Sequence, residues 1–346
     1  MEFHLNFTPK NITKQIAIDN RVMLMGSCFT ENIGEKLKSH KFSILQNPNG
    51  ILFNPVSVTE ALNTYLLNQS LATEELFYLD ECYHSWHHHS RFSGPNPLAV
   101  IDTINQSTAD AHKFLKCADF LMITLGSAWV YELTAAAPSY MPGKVAANNH
   151  KAPSKWFQKR LLGLDEVFSM LQTLINSLKR FNPTLEILFT ISPVRHLREG
   201  FVENNRSKAV LISAVHQVVD QMPGSYYFPA YELVIDDLRD YRFYSEDLVH
   251  PNYAATIYVW QKFVAACITN ESQLVMKEIN EINAARNHKA FNPASEAHRR
   301  FLNTYKEKLY ALIKRYPELD FADDTRYFEA VDNYPPGTSY PDSTTQ

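Results

Sequence analysis

Apolar and polar positions along the chain alternate between two patterns. Arg21–Met25 is a short apolar run that stops at Gly26. After Cys28 the apolar positions Ile33 and Leu37 take helical spacing against the polar Glu31, Glu35, Lys36 and Lys38. Phe120–Leu125 is a second run, stopping at Gly126, and Leu185–Ile191 is a third, stopping at Ser192-Pro193. Tyr226–Ala230, followed by Tyr231–Ile235, is expected to hold a fourth, shorter strand. Helical patterns occupy Val56–Leu67, Leu164–Phe181 and Ser207–Met222; in the last, Val210, Leu211, Ala214 and Val218 form the apolar stripe. Short strands alternating with longer helices predict a parallel sheet with helices on both faces. Ligands bind such sheets beyond the carboxyl ends of the strands, where Gly26, Gly126 and Ser192 fall.

Beyond about residue 270 the strands cease. Ser272–Asn287 and Ala294–Ile313 read as helices, the second with Leu302, Tyr305, Leu309 and Leu312 on one face. The expected organisation is an α/β domain over 1–270, a helical extension packing on it over 271–331, and a disordered tail over 332–346, rich in Pro, Ser, Thr and Asp.

Composition narrows the function. With 45% apolar and 20% charged residues the chain is an ordinary globular sequence rather than a disordered one. The net charge of −4, with no sustained Lys/Arg run, lacks the footprint of a nucleic-acid binder. Four Cys, with no CxxC pair, do not form a disulfide framework or a zinc ribbon. There is no signal-peptide core and no long apolar window, so a cytoplasmic protein with no membrane partner is the expectation. Only 10 Gly are present, where average usage would give roughly 24, so each one left is worth locating.

Two short segments can carry chemistry. In Gly26-Ser27-Cys28-Phe29-Thr30-Glu31 a nucleophile sits between a strand end and a helix start. The helix dipole and the free N–H groups of its first turn favour a thiolate or an oxyanion there. The alternative is a tight turn with an inert Cys. In Asp247-Leu-Val-His250-Pro251 the spacing lets the carboxylate take the imidazole Nδ1 proton in a hydrogen bond and leaves Nε2 as a base. The alternative is a capping loop, with Pro251 opening a helix.

The two together resemble the layout of the SGNH, or GDSL, hydrolase superfamily, and Gly-Ser-Cys-Phe is similar to the GSCFA domain family grouped with it. The segments Asn47-Pro-Asn-Gly50-Ile-Leu-Phe-Asn-Pro-Val56 and Trp86 to Ser90 are similar to that family too. The resemblance spans roughly 20–265. It implies a three-layer α/β/α sandwich with a central parallel sheet of about five strands, flavodoxin-like in outline. It also implies ester hydrolysis or acyl transfer on a small-molecule or carbohydrate acyl ester, with acyl-CoA as one possible donor and no cofactor. Carried over, the nucleophile is Cys28, with Ser27 as the alternative, and the pair is Asp247 and His250. The oxyanion positions fall on Cys28, Gly50, Gly126 and Ser127. The superfamily's Asn two residues after Gly126 is Ala128 here, which removes a donor.

Substrate-binding expectations fall on His89, Ser90, Asn149, His150, Arg195 and His196, since Arg195 and His196 follow a strand end and would suit an anionic group. Two other functions stay open. One is a non-catalytic carbohydrate- or protein-binding domain. The other is a metal-dependent hydrolase using His84, His87, His88 and His89, although adjacent His on an extended loop point in different directions and no metal is assigned. Oligomeric state has no signature in the sequence.

Overall fold

The computed structural model describes residue 5, residues 7–293 and residues 295–330; the expected tail over 332–346 lies outside the described residues. The chain forms two compact units. Among the described residues, the larger holds those within 5–15, 21–35 and 44–267, and the smaller those within 16–20, 36–43 and 268–330.

The larger unit is built on a five-stranded parallel sheet. Its strands are β1 (Arg21–Gly26), β2 (Ser43–Gln46), β5 (Phe120–Leu125), β8 (Glu186–Ile191) and β9 (Ser225–Tyr227), in the order β2-β1-β5-β8-β9. The register pairs Gly26 with Thr124 and Thr124 with Thr190, which sets the carboxyl ends of β1, β5 and β8 side by side. Two antiparallel hairpins stand apart from this sheet: β3 (Phe77–Leu79) with β4 (Cys82–His84), and β6 (Trp129–Leu133) with β7 (Phe157–Leu161).

Both faces of the sheet are covered, as its apolar strands require. Met23, Met25, Leu121, Ile123, Ile187 and Phe189 share one core with α2 (Pro55–Leu67), α3 (Pro97–Lys116), α4 (Leu164–Phe181) and α5 (Gly200–Gln221). The alternate positions Val22, Leu24, Phe120, Met122 and Leu188 are buried too. Beyond α1 (Cys28–Ser39), α2 and α3 start where sequence chemistry places them: Asn54 accepts from the Ser57 N–H and Asn96 from the Leu98 and Ala99 N–H groups, each followed by Pro.

The expected strand near Tyr226–Ile235 is confined to Ser225–Tyr227. Residues from Ala230 instead form the short helix α6 (Ala230–Glu232) and a π-turn over Leu233–Leu238, which leads toward α7 (Tyr253–Cys267). The acidic Glu232, Asp236 and Asp237 break the apolar run and suit a helix better than a buried parallel strand.

The smaller unit contains α8 (Asn270–Arg286), α9 (Glu296–Arg315) and α10 (Ala322–Ala330). Leu302, Leu309 and Leu312 of α9 are buried as the periodicity predicts, and Ile279 and Ile282 of α8 with them. Asp324 is fully buried and ion-paired to Lys41 and, at 3.0 Å, to Arg286.

Candidate active site

The end of β1 can only be glycine. Gly26 has φ +145°, and a Cβ there would lie 2.3 Å from the Thr124 carbonyl oxygen on the neighbouring strand. The next two residues divide two tasks. Ser27 is buried, and its Oγ accepts from the Phe29 N–H at 3.3 Å while its carbonyl accepts from the Thr30 N–H at 2.8 Å. That is the capping duty of the residue before a helix. Cys28 opens α1 and is half-buried. Burial pushes its thiol pKa up, and Glu31 adds to this. Its own N–H, the Phe29 N–H and the charge of Lys208 pull the other way.

Asn47 to Gly50 forms a turn against that strand end. Asn47 Oδ1 accepts the Gly26 N–H at 2.9 Å, and the Asn47 Nδ2 is buried without a hydrogen-bond partner. The turn closes through the Gly50 N–H donating to the Asn47 carbonyl at 2.7 Å. Gly50 has φ +80°, and a Cβ there would meet the His89 Cβ at 2.2 Å. His89 N–H donates to the Asn49 carbonyl at 2.9 Å and Arg91 donates to the Asn47 carbonyl, so residues 47–50 and 87–91 are one layer. Burial, then the Arg91 charge, lower the His89 pKa.

At the end of β5 the N–H groups of Gly126 and Ser127 both donate to the Phe53 carbonyl, at 2.7 and 3.2 Å. The oxyanion positions taken from the resemblance are therefore not alike. Turn closure commits the N–H groups of Gly50, Gly126 and Ser127 to carbonyls. The Phe29 N–H donates to Ser27 Oγ, and the N–H groups of Cys28 and Phe29 both favour negative charge on the Cys28 sulfur.

Helix α5 supplies residues that the sequence reading did not single out. Ser207 Oγ accepts the Ala128 N–H at 2.7 Å and lies 3.2 Å from Ser127 Oγ. Lys208 Nζ donates to the Gly126 and Ser192 carbonyls, both at 2.6 Å. Asn204 Oδ1 accepts the His196 N–H at 2.9 Å. The three are buried at 5%, 2% and 2% exposure for Asn204, Ser207 and Lys208, and they extend the apolar stripe of Leu211, Ala214 and Val218 backward by about two helical turns. Polar residues in buried register were the available signal. Among the described residues no carboxylate pairs with Lys208, and burial lowers its pKa to about 7, while Cys28 acts in the opposite sense.

The Asp247–His250 pair forms. Asp247 Oδ2 lies 2.6 Å from His250 Nδ1, and Asp247 Oδ1 accepts the Val249 and His250 N–H groups at 2.9 and 3.0 Å. These bonds, the His250 N–H first, hold the Asp247 carboxyl at a pKa of about 2. Leu248, at φ +58°, makes the tight loop that brings the two side chains round. Arg195 ties this loop to the β8 end, its N–H donating to the Val249 carbonyl at 3.3 Å and its Nη1 to the Leu248 carbonyl at 3.4 Å. Its guanidinium lies 4.2 Å from the Tyr244 ring centroid, which makes Arg195 a brace for the His250 loop.

The remaining expected residues line or back a cleft. Phe53, Ser127, Trp129, Tyr131, Asn149, His196 and Arg198 are among the residues around a space of about 390 Å³. It continues past Tyr131, Asn148, Asn149 and Arg198 into one of about 490 Å³ lined also by His150, Lys151 and Lys159. Cys28 and His250 are not among the described lining residues of either space. His196 packs tilted against the Phe53 ring, centroids 4.8 Å apart, and reaches Gly126, where a Cβ would lie 2.9 Å from its Nε2. Ser90 Oγ lies 3.4 Å from His150 Nδ1, and His150 Nε2 lies 2.9 Å from the Ser85 carbonyl.

The histidine-rich segment is held by separate bonds rather than gathered round one point. His84 meets Ser93 Oγ and the Leu79 carbonyl, and His88 meets Ser85 Oγ. Burial lowers the pKa of His88 to about 3 and that of His150 to about 4, so both are neutral. No group of three or more His, Cys, Asp or Glu among the described residues is arranged to hold a metal ion. No described helix is long and apolar enough to cross a membrane.

Known structures give distant likenesses. A carbohydrate esterase family 3 protein from Talaromyces cellulolyticus is 10% identical, with a TM-score of 0.35, over 75% of this chain and 99% of that one. An acetyl esterase mutant holding an acetate ion is 9% identical, with a TM-score of 0.32, over 76% and 99%. No curated protein matches the chain. Residues 279–333 match the GSCFA domain protein C-terminal domain. Residues 21–263 match the GSCFA family, the same Gly-Ser-Cys-Phe segment that opens α1, and the chain belongs to that family.

Proposed function

We propose that this protein is an ester hydrolase or acyltransferase in which Cys28 is the nucleophile, His250 the base and Asp247 the group that orients it. The observation that carries the reading is the 2.6 Å contact of Asp247 Oδ2 with His250 Nδ1, on a loop that Arg195 ties to the edge of the sheet where Cys28 opens α1. That contact fixes the tautomer with Nε2 available to take a proton. Because burial keeps the Cys28 thiol protonated, attack needs that base. The Cys28 proton passes to His250 as the Cys28 Sγ–acyl bond forms and the carbonyl π bond opens. His250 returns the proton to the departing alkoxide as the ester C–O bond breaks. Water, or an acceptor hydroxyl, then attacks the thioester with its proton going to His250, and the thiol is released. The developing oxyanion is assigned to the Cys28 N–H and the positive end of α1.

The capping role of the Ser27 hydroxyl supports Cys28 over Ser27. The proposed substrate is an acylated small molecule or carbohydrate, with acyl-CoA as one donor. The cleft suits an anionic group, since Lys151, Lys159 and Arg198 line its two parts and no Asp or Glu is among the described lining residues. Four free cysteines suit the cytoplasmic placement expected from the sequence. Turnover of p-nitrophenyl acetate by purified variants is the test. Cys28→Ala abolishes turnover, and Cys28→Ser retains a small part of it. Full turnover in Cys28→Ala with loss in Ser27→Ala would move the nucleophile to Ser27. Full turnover in both would end the reading.

A further inference from the structure

A second cavity lies apart from the proposed site, between α2 and α3. Its volume is about 300 Å³, at the lower end for a small-molecule site. None of Cys28, Asp247 and His250 is among its described lining residues. Its rim is held by specific bonds. Asn68, at φ +48°, ends α2 and turns the chain back. Asn105 of α3 clamps the returning segment: its Oδ1 accepts the Leu71 N–H at 2.8 Å and its Nδ2 donates to the Leu71 carbonyl at 3.1 Å. Glu75 Oε2 accepts the Ala72 N–H at 2.9 Å. From the other side Asn49 Nδ2 donates to the His87 carbonyl at 3.2 Å, which seats His87 and His88 in the wall.

Two polar atoms of that wall are enclosed and unsatisfied. His88 is 4% exposed, and its Nε2 has no hydrogen-bond partner among the described residues. Ser85 Oγ accepts the His87 N–H at 3.3 Å and lies 2.9 Å from His88 Nδ1. The Ser85 proton therefore goes to Nδ1, and Nε2 keeps a hydrogen to donate. Burial holds this imidazole neutral. Glu60 Oε2 has no hydrogen bond among the described residues either, only the 3.4 Å approach of His87 Nδ1. Buried polar groups are almost always bonded, so an unmet donor and an unmet acceptor at one cavity fit a group that both donates and accepts. A hydroxyl does both. Thr108, 2% exposed, adds its own hydroxyl to the lining, while Ala61 and Ile104 supply apolar wall. That mixture matches a sugar ring, with hydroxyls at its edge and C–H groups on its faces. Glu60 and Glu75 line the cavity and no described Lys or Arg does; Lys144 is acted on by both carboxylates from outside the lining. We propose that this cavity binds a small sugar, neutral or bearing an amine, at a site separate from the catalytic one. The inference does not depend on the hydrolase reading.

The test is a ligand-observed NMR titration of the full-length protein with D-glucosamine, D-glucose and D-glucuronate, which are alike in size and differ in charge. Glucosamine is expected to bind with a Kd of roughly 1 mM or tighter, glucose more weakly and glucuronate not at all. Glu60→Gln keeps the side-chain shape and removes the charge; it is expected to weaken glucosamine roughly tenfold and bring it level with glucose. Thr108→Val keeps the volume and removes the hydroxyl; it is expected to weaken both sugars roughly fivefold without lowering the thermal midpoint. Cys28→Ala is expected to bind both as the wild type does, and loss of binding in that variant would place the sugar in the catalytic site and overturn the proposal. So would no binding of either sugar, which leaves a cavity holding only water, or glucuronate bound as well as glucosamine. Wild-type affinities in folded Glu60→Gln and Thr108→Val proteins would overturn it too. Absence of ester turnover in the wild type, with the binding pattern as stated, would overturn the hydrolase reading alone.

Discussion

Replacing Lys208 with methionine tests how the fold accommodates a buried ammonium, and its size follows from the site. An exposed lysine loses its proton near pH 10.5, whereas burial brings Lys208 down to about 7. In the window between these values the unfolded chain holds a proton on Lys208 that the folded chain has released. The unfolded state therefore binds more protons, and stability attributable to Lys208 rises with pH. Below about pH 7 the penalty for a charged, enclosed Lys208 is present in full; it is relieved progressively as pH climbs toward 10.5. The slope is about 1.4 kcal/mol per pH unit, so the window spans about 5 kcal/mol. Other ionisable groups add their own pH dependence, so the informative quantity is the difference between wild type and Lys208→Met. Urea unfolding midpoints at several pH values between 7 and 10 give it. The wild type should gain on the variant throughout the window. The variant carries a constant handicap of roughly 1–3 kcal/mol for each of the Gly126 and Ser192 carbonyls it leaves unpaired. Parallel curves, with a pH-independent difference, would refute the reasoning, since they would mean that Lys208 titrates alike folded and unfolded.

Three further outcomes follow. Asp247→Asn should leave the fold intact but lower kcat for ester hydrolysis by roughly 10³- to 10⁴-fold, because the amide no longer fixes the His250 tautomer; less than a tenfold loss would contradict the role given to the pair. Gly26→Ala should destabilise the protein by at least about 2 kcal/mol, read by chemical denaturation, because the new Cβ meets the Thr124 carbonyl and the φ of +145° is strained; Gly163→Ala, where a Cβ meets open space, is the control. Asp324→Asn should cost about 3 kcal/mol by removing the buried partner of Lys41 and Arg286, and an unchanged thermal midpoint would show that the pair contributes nothing.

The sequence made the sheet legible where strands were buried on both sides. The runs ending at Gly26, Gly126 and Ser192 are continuous apolar segments because helices cover both faces, and their ends mark the edge where the proposed site lies. Strand β2 escaped because Ser43–Gln46 is only half-buried and carries little apolar pattern. Helix α3 escaped because its buried positions include Thr108 and Ala111, too polar or too small to mark a stripe. The hairpins β3–β4 and β6–β7 are short and mixed in polarity, lying apart from the main sheet.

The Asp247–His250 contact was legible because both partners lie within one turn of chain. The polar face of α5 was not. Asn204, Ser207 and Lys208 look solvent-facing by type, and only the continuation of the Leu211, Ala214 and Val218 stripe shows that they are turned inward. The N–H groups of Gly50, Gly126 and Ser127 could not be assigned from sequence either, since their carbonyl partners lie on or across a folded turn.

The central claim is that Cys28 carries the acyl group. A brief reaction with p-nitrophenyl acetate, quenched in acid and mapped by peptide mass spectrometry, tests it most directly, with the His250→Asn variant included to slow the second step. The account predicts one acetyl group on the peptide containing Cys28, absent in Cys28→Ala and accumulating in His250→Asn. An acetyl group on Ser27, or continued ester turnover by Cys28→Ala at the wild-type rate with no adduct at this position, would contradict it.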